Sequence, residues 1–192
     1  MHHIYHTEGI ILGSKNFGEA GRYYSILTRD LGMIYASAQG VRKMSSKLRF
    51  VLHDFAHIKV DLVQGKEFWR VTSASKTDTL KQVTKRRETF VIFANLARLL
   101  KRLLTGAEPN ERLFSLLVEG LTVLEKTDST EALRNVEAII VLRIMNSLGY
   151  IGGESVDNFV TSPYEDDFVF EISKHRSRLL SLINKALGET HL

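Results

Sequence analysis

The sequence contains no cysteine among its 192 residues. A disulfide framework, a thiolate metal site and a cysteine nucleophile are therefore impossible. No apolar run approaches the roughly 18–20 residues of a membrane-spanning helix. The N-terminus also lacks the positive-then-apolar pattern of a signal peptide. These absences lead us to expect a cytoplasmic protein with no membrane association.

Motifs of the common enzyme classes are missing as well. There is no Walker loop, no dinucleotide fingerprint and no Gly-x-Ser-x-Gly elbow. The run Glu165-Asp166-Asp167 would suit a nuclease metal site only if consecutive residues could face one ion, so a charged loop is the better interpretation. His2, His3 and His6 lack the spacing of a metal site on a helix or on one face of a strand. The sequence predicts a protein that is not an enzyme and needs no metal or cofactor.

Charge is distributed unevenly along a chain whose formal net charge is only +4. Residues 1–80 hold 11 Lys and Arg against 7 Asp and Glu, and residues 81–112 hold 8 against 3. Residues 113–170 reverse the balance, with 3 against 10. A basic first part followed by an acidic third quarter indicates an anionic partner for the first half.

The first 78 residues show the pattern of a small β-barrel. Three meandering strands, a short helix and two more strands follow the order of an OB fold. The first strand breaks its alternation at Gly9, which suggests a bulge or a barrel bend there. The predicted strands span residues 3–16, 23–28, 33–38, 55–63 and 68–73, and the short helix ends near residue 53.

Residues 79–192 have the pattern of an all-α domain. Apolar positions at helical spacing predict helices over residues 90–104, 110–126 and 128–148. Residues 150–172 read as an irregular acidic loop, and residues 174–187 read as a final helix. The predicted class is therefore α+β, with an N-terminal five-stranded OB-fold barrel over residues 1–78 and a helical domain over residues 79–192.

The connection after the third strand, residues 38–49, is the most distinctive stretch. Four of its twelve residues are cationic and none is acidic. Gly40 interrupts it, which permits a backbone conformation closed to other residues or a close approach of the backbone to a ligand. Unpaired cations on a loop suit phosphate, because each neutralised phosphate releases condensed counterions.

Several short motifs, in this order and spacing, closely resemble those of the RecO family. They are Thr7-Glu8-Gly9-Ile10-Ile11-Leu12, Phe17-Gly18-Glu19-Ala20, Leu27-Thr28 before Leu31-Gly32, Ala38-Gln39-Gly40-Val41-Arg42, Ser46-Lys47-Leu48, Leu113-Phe114-Ser115-Leu116-Leu117 and Leu148-Gly149-Tyr150. The resemblance covers about residues 1–150. Three features depart from the family pattern: Gly21 replaces a usual Asp, Gln39 replaces a frequent Lys, and a short acidic segment replaces a four-cysteine zinc module.

The resemblance implies binding of single- and double-stranded DNA, annealing of complementary strands, and joint action with RecR and the single-stranded DNA-binding protein SSB to load RecA. Cations of the barrel and of the first helical turn are the candidate DNA contacts. They are Arg22, Arg29, Arg42, Lys43, Lys47, Arg49, Lys66, Arg70, Lys85 and Arg86, with Lys81 and Arg87 as further members of the same path. Tyr23, Tyr24, Tyr35 and Trp69 are candidate base-stacking residues. Core packing is the competing and favoured role for each of them, because alternate strand positions face inward.

The family also places the dock for the acidic, apolar-ended tail of SSB in the helical domain. Arg98, Lys101, Arg102 and Arg134 are the cations available there beside Leu and Phe positions. Two other functions stay open from the residues alone. The barrel could serve as an adaptor whose DNA binding depends on a RecR-like partner, or it could bind RNA, because stacking does not distinguish sugars without contacts to the 2′-hydroxyl.

Overall fold

Five strands close into a barrel near the start of the chain. The structure, a computed structural model, describes residues 3–104, 106 and 108–189. Around the barrel the strands follow the order β1-β2-β3-β5-β4, with a parallel contact only between β3 and β5. This closed five-stranded barrel confirms the predicted OB fold. The strands are β1 Ile4–Phe17, β2 Gly21–Thr28, β3 Gly32–Ala38, β4 His57–Gln64 and β5 Trp69–Lys76, and a 3-10 helix at Lys47–Phe50 precedes β4.

Strand β1 is buried on both of its faces, and its pairing with β2 contains a register shift. The pairing with β2 steps between Ile11 and Gly13. Ile11 packs inside the barrel, whereas Ile10 and Leu12 join the core of the helices. The prediction of a bulge at Gly9 is wrong, because the irregularity comes after Ile11. Gly9 is instead a site of close packing, where a Cβ would lie 2.7 Å from a methyl carbon of Ile26.

Within the described residues, five helices follow the barrel and confirm the predicted all-α second part. The third helix is central, and the other four pack around it. Its side chains Val136, Ile139 and Leu142 have no exposed surface. The first helix also contacts β1 of the barrel, so the apolar core runs from the barrel wall into the helices. The helices are α1 Arg87–Leu103, α2 Glu111–Lys126, α3 Thr130–Ser147, α4 Glu154–Thr161 and α5 Asp166–Glu189.

The prediction of an irregular acidic loop over residues 150–172 is wrong. This segment contains α4, and α5 begins at Asp166 rather than near residue 174. Asp166 and Asp167 lie in the first turn of α5, where carboxylates favour a helix N-terminus. Across the part of the chain that the structure describes, no group of three or more His, Asp or Glu side chains is arranged to hold a metal ion.

Two polar side chains of α3 explain why this segment is ordered. Arg143 is 3% exposed and donates hydrogen bonds to the carbonyls of Phe159 and Ser162, at the end of α4. Asn135 donates to the Val169 carbonyl of α5 at 2.9 Å. Both contacts join residues far apart in sequence, so local periodicity gives no sign of them. None of the described helices is both long and apolar enough to cross a membrane.

Candidate nucleic-acid interface

Three connections meet at one end of the barrel. They are the β1–β2 turn (residues 18–20), the connection after β3 (residues 38–49, called the basic loop below) and the β4–β5 turn (residues 65–68). The backbone N–H of Arg42 donates to the Ala20 carbonyl at 3.0 Å, which ties the basic loop to the first turn. The Ser37 hydroxyl donates to the Trp69 carbonyl at 3.3 Å, which ties the end of β3 to the third turn.

Three aromatic rings form a cluster on the outer surface at this end. Phe17 and Tyr23 are stacked, with ring centroids 4.2 Å apart and planes 27° apart. Phe68 lies 4.9 Å from Tyr23 and is 42% exposed. Outward-facing aromatic rings on an OB barrel offer faces on which unpaired bases can stack. These three residues are called the aromatic cluster below.

Cations flank the aromatic cluster along one row of the sheet. The registers place Lys15 beside Tyr23, Tyr23 beside Ser37, and Ser37 beside Arg70. Lys15 and Arg70 are exposed. Two residues along β3, the Tyr35 side chain is 52% exposed, so this predicted stacking residue is accessible. Positive charge on both sides of flat rings is the arrangement that suits a single strand of nucleic acid.

The basic loop presents unpaired positive charge beside the cluster. Arg42, Lys43 and Lys47 are exposed, and among the described residues none of them forms an ion pair with a carboxylate. Gly40 has a φ of 65°, a backbone conformation that favours glycine. Acidic residues are absent from the whole stretch between Leu31 and His53.

Arg22 and Arg49 extend this positive surface toward the mouth of the barrel. Together with Arg42 they line a depression of about 300 Å³ floored by Tyr24 and Leu52. Arg22 donates to the side-chain oxygen of Asn16 at 2.8 Å. Because the amide of Asn16 is neutral, the positive charge of Arg22 stays uncompensated. Lys66 in the β4–β5 turn and Lys85 before α1 are also exposed, as a phosphate contact requires.

Tyr24 cannot stack on a base, so that prediction is wrong. Its side chain is 1% exposed, lies in the barrel core and donates to the Leu52 carbonyl at 3.3 Å. Burial raises the pKa of its phenol. Trp69 is half-buried, with its ring edge-on to Tyr5 at 5.0 Å. The two tyrosines at positions 23 and 24 face opposite sides because side chains alternate along a strand.

The guanidinium of Arg29 is not available to bind phosphate. Its guanidinium pairs with Glu8 at 2.8 Å and with Glu111 of α2 at 3.4 Å, and it lies 5.2 Å from the Phe114 ring centroid. These contacts join the barrel to the helices. The carboxylates of the same molecule already neutralise this charge, so the predicted DNA contact at Arg29 is wrong.

Arg86 is occupied in a similar way. Its guanidinium donates to the Thr127 carbonyl at 2.6 Å and pairs with Asp128 at 3.1 Å. It therefore connects the start of α1 to the α2–α3 connection, and the predicted DNA contact is wrong. Lys81 pairs with Asp78 at 2.7 Å. The cations that follow the barrel in sequence therefore offer less uncompensated positive charge than their number indicates.

An apolar pocket of about 400 Å³ lies between α1, α3 and α5. Leucines and an isoleucine line it, and Arg134 and Arg176 supply positive charge. Glu137 also lines the pocket, and burial raises the pKa of its carboxyl. Of the four cations predicted for a peptide dock, only Arg134 lines this pocket.

The other three predicted cations lie elsewhere on α1. Arg98 donates to Asn95, which lines the pocket. Lys101 turns toward the barrel, where a Cβ on Gly13 would lie 3.2 Å from its ammonium nitrogen. Arg102 is exposed but does not line the pocket.

Sequence reasoning missed several residues of the interface. From the sequence, Phe17 has a place only in a family motif and Phe68 only at the start of a predicted strand. The sequence predicts no role for Lys15. The strand alternation that places Tyr23 outward also places its neighbours Lys15 and Arg70 outward, but only once the registers between strands are known.

Comparison with known proteins matches most of the chain to one family. The family model described as "Recombination protein O N terminal" matches residues 1–80, and "Recombination protein O C terminal" matches residues 85–151. The DNA repair protein RecO of Rubrobacter xylanophilus is 31% identical over 147 residues, covering 77% of this chain and 58% of that protein. RecO of Heliobacterium modesticaldum is 31% identical over 150 residues, covering 77% and 52%.

RecO of Desulfitobacterium hafniense is 29% identical over 147 residues, again covering 77% of this chain and 52% of the relative. The chain thus spans little more than half the length of these curated relatives, and α4 and α5 lie beyond both family models. With its two domains matched in order, the chain belongs to the RecO family.

Proposed function

We propose that this chain, a member of the RecO family, acts in DNA repair and recombination by binding DNA at the barrel end that carries the aromatic cluster and the basic loop. One observation carries the proposal. Arg42, Lys43 and Lys47 stand exposed and unpaired beside outward-facing rings, and phosphate binding needs such cations while base binding needs such rings.

Annealing of complementary strands follows from the same electrostatics. Cations on the barrel neutralise phosphates of two strands at once and lower their mutual repulsion, so that the strands pair. This step needs no ATP, metal or cofactor. In the cell the protein would work at the nucleoid in the cytoplasm, with RecR and SSB, and so assist the loading of RecA.

The pocket between α1, α3 and α5 is the proposed dock for the SSB tail. That tail is acidic and ends in apolar residues, so it needs an apolar cavity with a cation at the rim. Leu96, Leu99 and Leu180 supply the apolar lining, and Arg134 and Arg176 supply the charge. Contact here would bring the protein to SSB-covered single strands.

Binding of a fluorescent single-stranded oligonucleotide across a salt series tests the proposal. Affinity should fall steeply with salt, by a logarithmic slope of about 0.7 per phosphate contact. The triple variant Arg42→Glu, Lys43→Glu and Lys47→Glu should reduce this slope by about 2 and abolish annealing. A matched control reverses three exposed lysines away from the interface: Lys76, Lys126 and Lys185.

The outcomes separate the proposal from its alternatives. Binding that is insensitive to salt, or equally weakened by both triple variants, would contradict the assigned site. DNA binding that appears only after RecR is added would favour the adaptor. Competition by an RNA of the same sequence, at equal strength, would favour a general single-strand binder, since only contacts to the 2′-hydroxyl distinguish the two sugars.

The dock is tested with a labelled peptide of the SSB tail. Arg134→Glu should weaken binding about tenfold or more, because it places a negative charge at the rim facing an acidic ligand. Lys101→Glu is the matched control, since this residue lies on the neighbouring helix but faces the barrel. Equal loss in both variants would indicate non-specific attraction rather than a dock.

A further inference from the structure

Two large apolar side chains extend into solvent, one from the basic loop and the other from the residue that follows it. Met44 is 83% exposed and Phe50 is 63% exposed, which makes them the most exposed large apolar side chains of the barrel. Exposure of this degree gives up the free energy that burial of each side chain would provide. The loop is otherwise strongly cationic, so this apolar surface needs a partner that also carries negative charge.

Arg49 holds the two side chains together. Its guanidinium carbon lies 4.6 Å from the centroid of the Phe50 ring, and one of its terminal nitrogens lies 2.8 Å from the Met44 sulfur. A guanidinium above one face of a ring leaves the other face free for a second flat group. The three side chains form a single surface, called the loop platform below.

The backbone beneath the loop platform is constrained by hydrogen bonds. The Ser46 N–H donates to the Lys43 carbonyl at 3.0 Å, and the Val51 N–H donates to the Leu48 carbonyl at 3.0 Å. Leu48 and Val51 pack against the barrel core, which fixes the 3-10 helix that carries Phe50. The platform is therefore presented on an ordered support, and little ordering entropy is lost when a ligand binds.

The charge around the platform selects the kind of ligand. Arg42, Lys43 and Lys47 lie within the same loop, and the nearest acidic residues in sequence are Asp30 and Asp54. A ligand must then combine regularly spaced negative charge with flat, weakly polar faces. Nucleotides of an unpaired strand have both, whereas the bases of a duplex hide their faces in the stack.

We propose that the loop platform of Met44, Arg49 and Phe50 is a second base-binding site, on which an unpaired base stacks while the neighbouring cations hold its phosphates. This inference rests on the proposed binding of DNA and adds to it a preference for unpaired over paired strands.

Side-chain truncation separates stacking from phosphate contact. The double variant Met44→Ala and Phe50→Ala should lose about 5- to 150-fold in affinity for a single-stranded oligonucleotide, the range for removing one stacked base. Its salt slope should equal that of the wild type, because no cation is removed. Affinity for a blunt duplex should change less than twofold.

Two further variants test the chemistry of the contact. Phe50→Trp should retain or raise single-strand affinity, whereas Phe50→Leu should lose most of it, since Leu is apolar but has no flat face. Phe170→Ala is the matched control, because this phenylalanine is 70% exposed but lies on α5. It should bind single strands as the wild type does.

The result also distinguishes this inference from the proposed function. Suppose that the double variant binds single strands with wild-type affinity, whereas the charge-reversed triple variant loses affinity. This result would contradict the loop platform as a base-binding site and leave the proposed function standing. Equal losses for single strand and duplex, with a lower salt slope, would likewise overturn it. If the wild-type protein does not bind DNA, both the loop platform and the proposed function are contradicted.

Discussion

The phenyl ring of Phe17 lies directly over Gly21, and a Cβ on that glycine would come within 2.5 Å of the ring. The two residues are cross-strand partners of β1 and β2. The missing side chain of Gly21 therefore lets Phe17 lie flat against the strand and stack on Tyr23. The sequence departure at Gly21 is thus a structural requirement of the aromatic cluster.

Gly21→Ala should displace the Phe17 ring and weaken single-strand binding. The added methyl group cannot share space with the ring, and the lost stack is expected to cost several-fold in affinity. The fold should be retained, because Gly21 does not have a positive φ. Oligonucleotide anisotropy measures the affinity, and thermal unfolding confirms the fold. Gly152→Ala serves as control, since nothing lies within 4 Å of a Cβ there.

Tyr23 and Tyr24 should respond oppositely to substitution. Tyr24→Ala removes a fully buried ring and should lower the free energy of unfolding by about 3–5 kcal/mol. Tyr23→Ala should lower it much less but should weaken single-strand binding, since this ring faces solvent. Chemical denaturation and anisotropy give the two quantities separately. If Tyr24→Phe, which keeps the ring, loses DNA affinity, then the assignment of Tyr24 to the core alone is mistaken.

Arg29→Ala should affect stability rather than DNA binding. It removes a partly exposed ion pair, worth about 0–1 kcal/mol, and a contact with the Phe114 ring worth about as much. Glu111→Ala should cost less, because its oxygen is 3.4 Å from Arg29 and its side chain is exposed. A double-mutant cycle by urea denaturation measures the coupling. Altered oligonucleotide affinity in Arg29→Ala would contradict a purely structural role.

Stability should fall as the pH is lowered below about 6.5. His57 is buried at the junction of barrel and helices, and burial lowers its pKa from the ordinary value of 6.5. Glu8 opposes this shift by attraction, and Arg29 adds to it by repulsion.

The unfolded chain then binds a proton at this histidine more readily than the folded chain does. The penalty is absent above pH 6.5 and grows as the pH falls toward the lower folded pKa. Thermal unfolding between pH 7.5 and 5.5 measures it. His57→Asn should flatten the dependence. An unchanged slope in this variant would assign the effect to other groups.

Glu137→Gln should strengthen binding of an acidic peptide in the helical pocket. Glu137 lines that pocket, and burial raises the pKa of its carboxyl because desolvation disfavours the charged form. A ligand that brings further negative charge meets repulsion from it, and the amide removes this repulsion. Fluorescence titration with the SSB tail peptide measures the change. Glu131→Gln, on the same helix but outside the pocket, should leave the affinity unchanged.

Much of the fold was predictable because its cause is local. Alternation of apolar residues along strands, Gly and Asp at turns, and helical spacing after residue 78 each identify an element from its own residues. The basic loop was equally visible, since its charge is a property of consecutive residues. The ends of the elements were less certain, as α4 and the start of α5 show, because Arg143 and Asn135 order them from a distant helix.

Composition and local pattern determined that this chain forms a cysteine-free, five-stranded barrel followed by helices, with positive charge concentrated after β3. Only the tertiary structure decided which of those charges and rings are available to a ligand. Arg29 and Arg86 meet carboxylates from other elements, whereas Arg42 does not, and the rings of Phe17, Tyr23 and Phe68 come together through strand pairing. The reason is physical: exposure and charge compensation depend on neighbours in space, and the sequence records only neighbours along the chain.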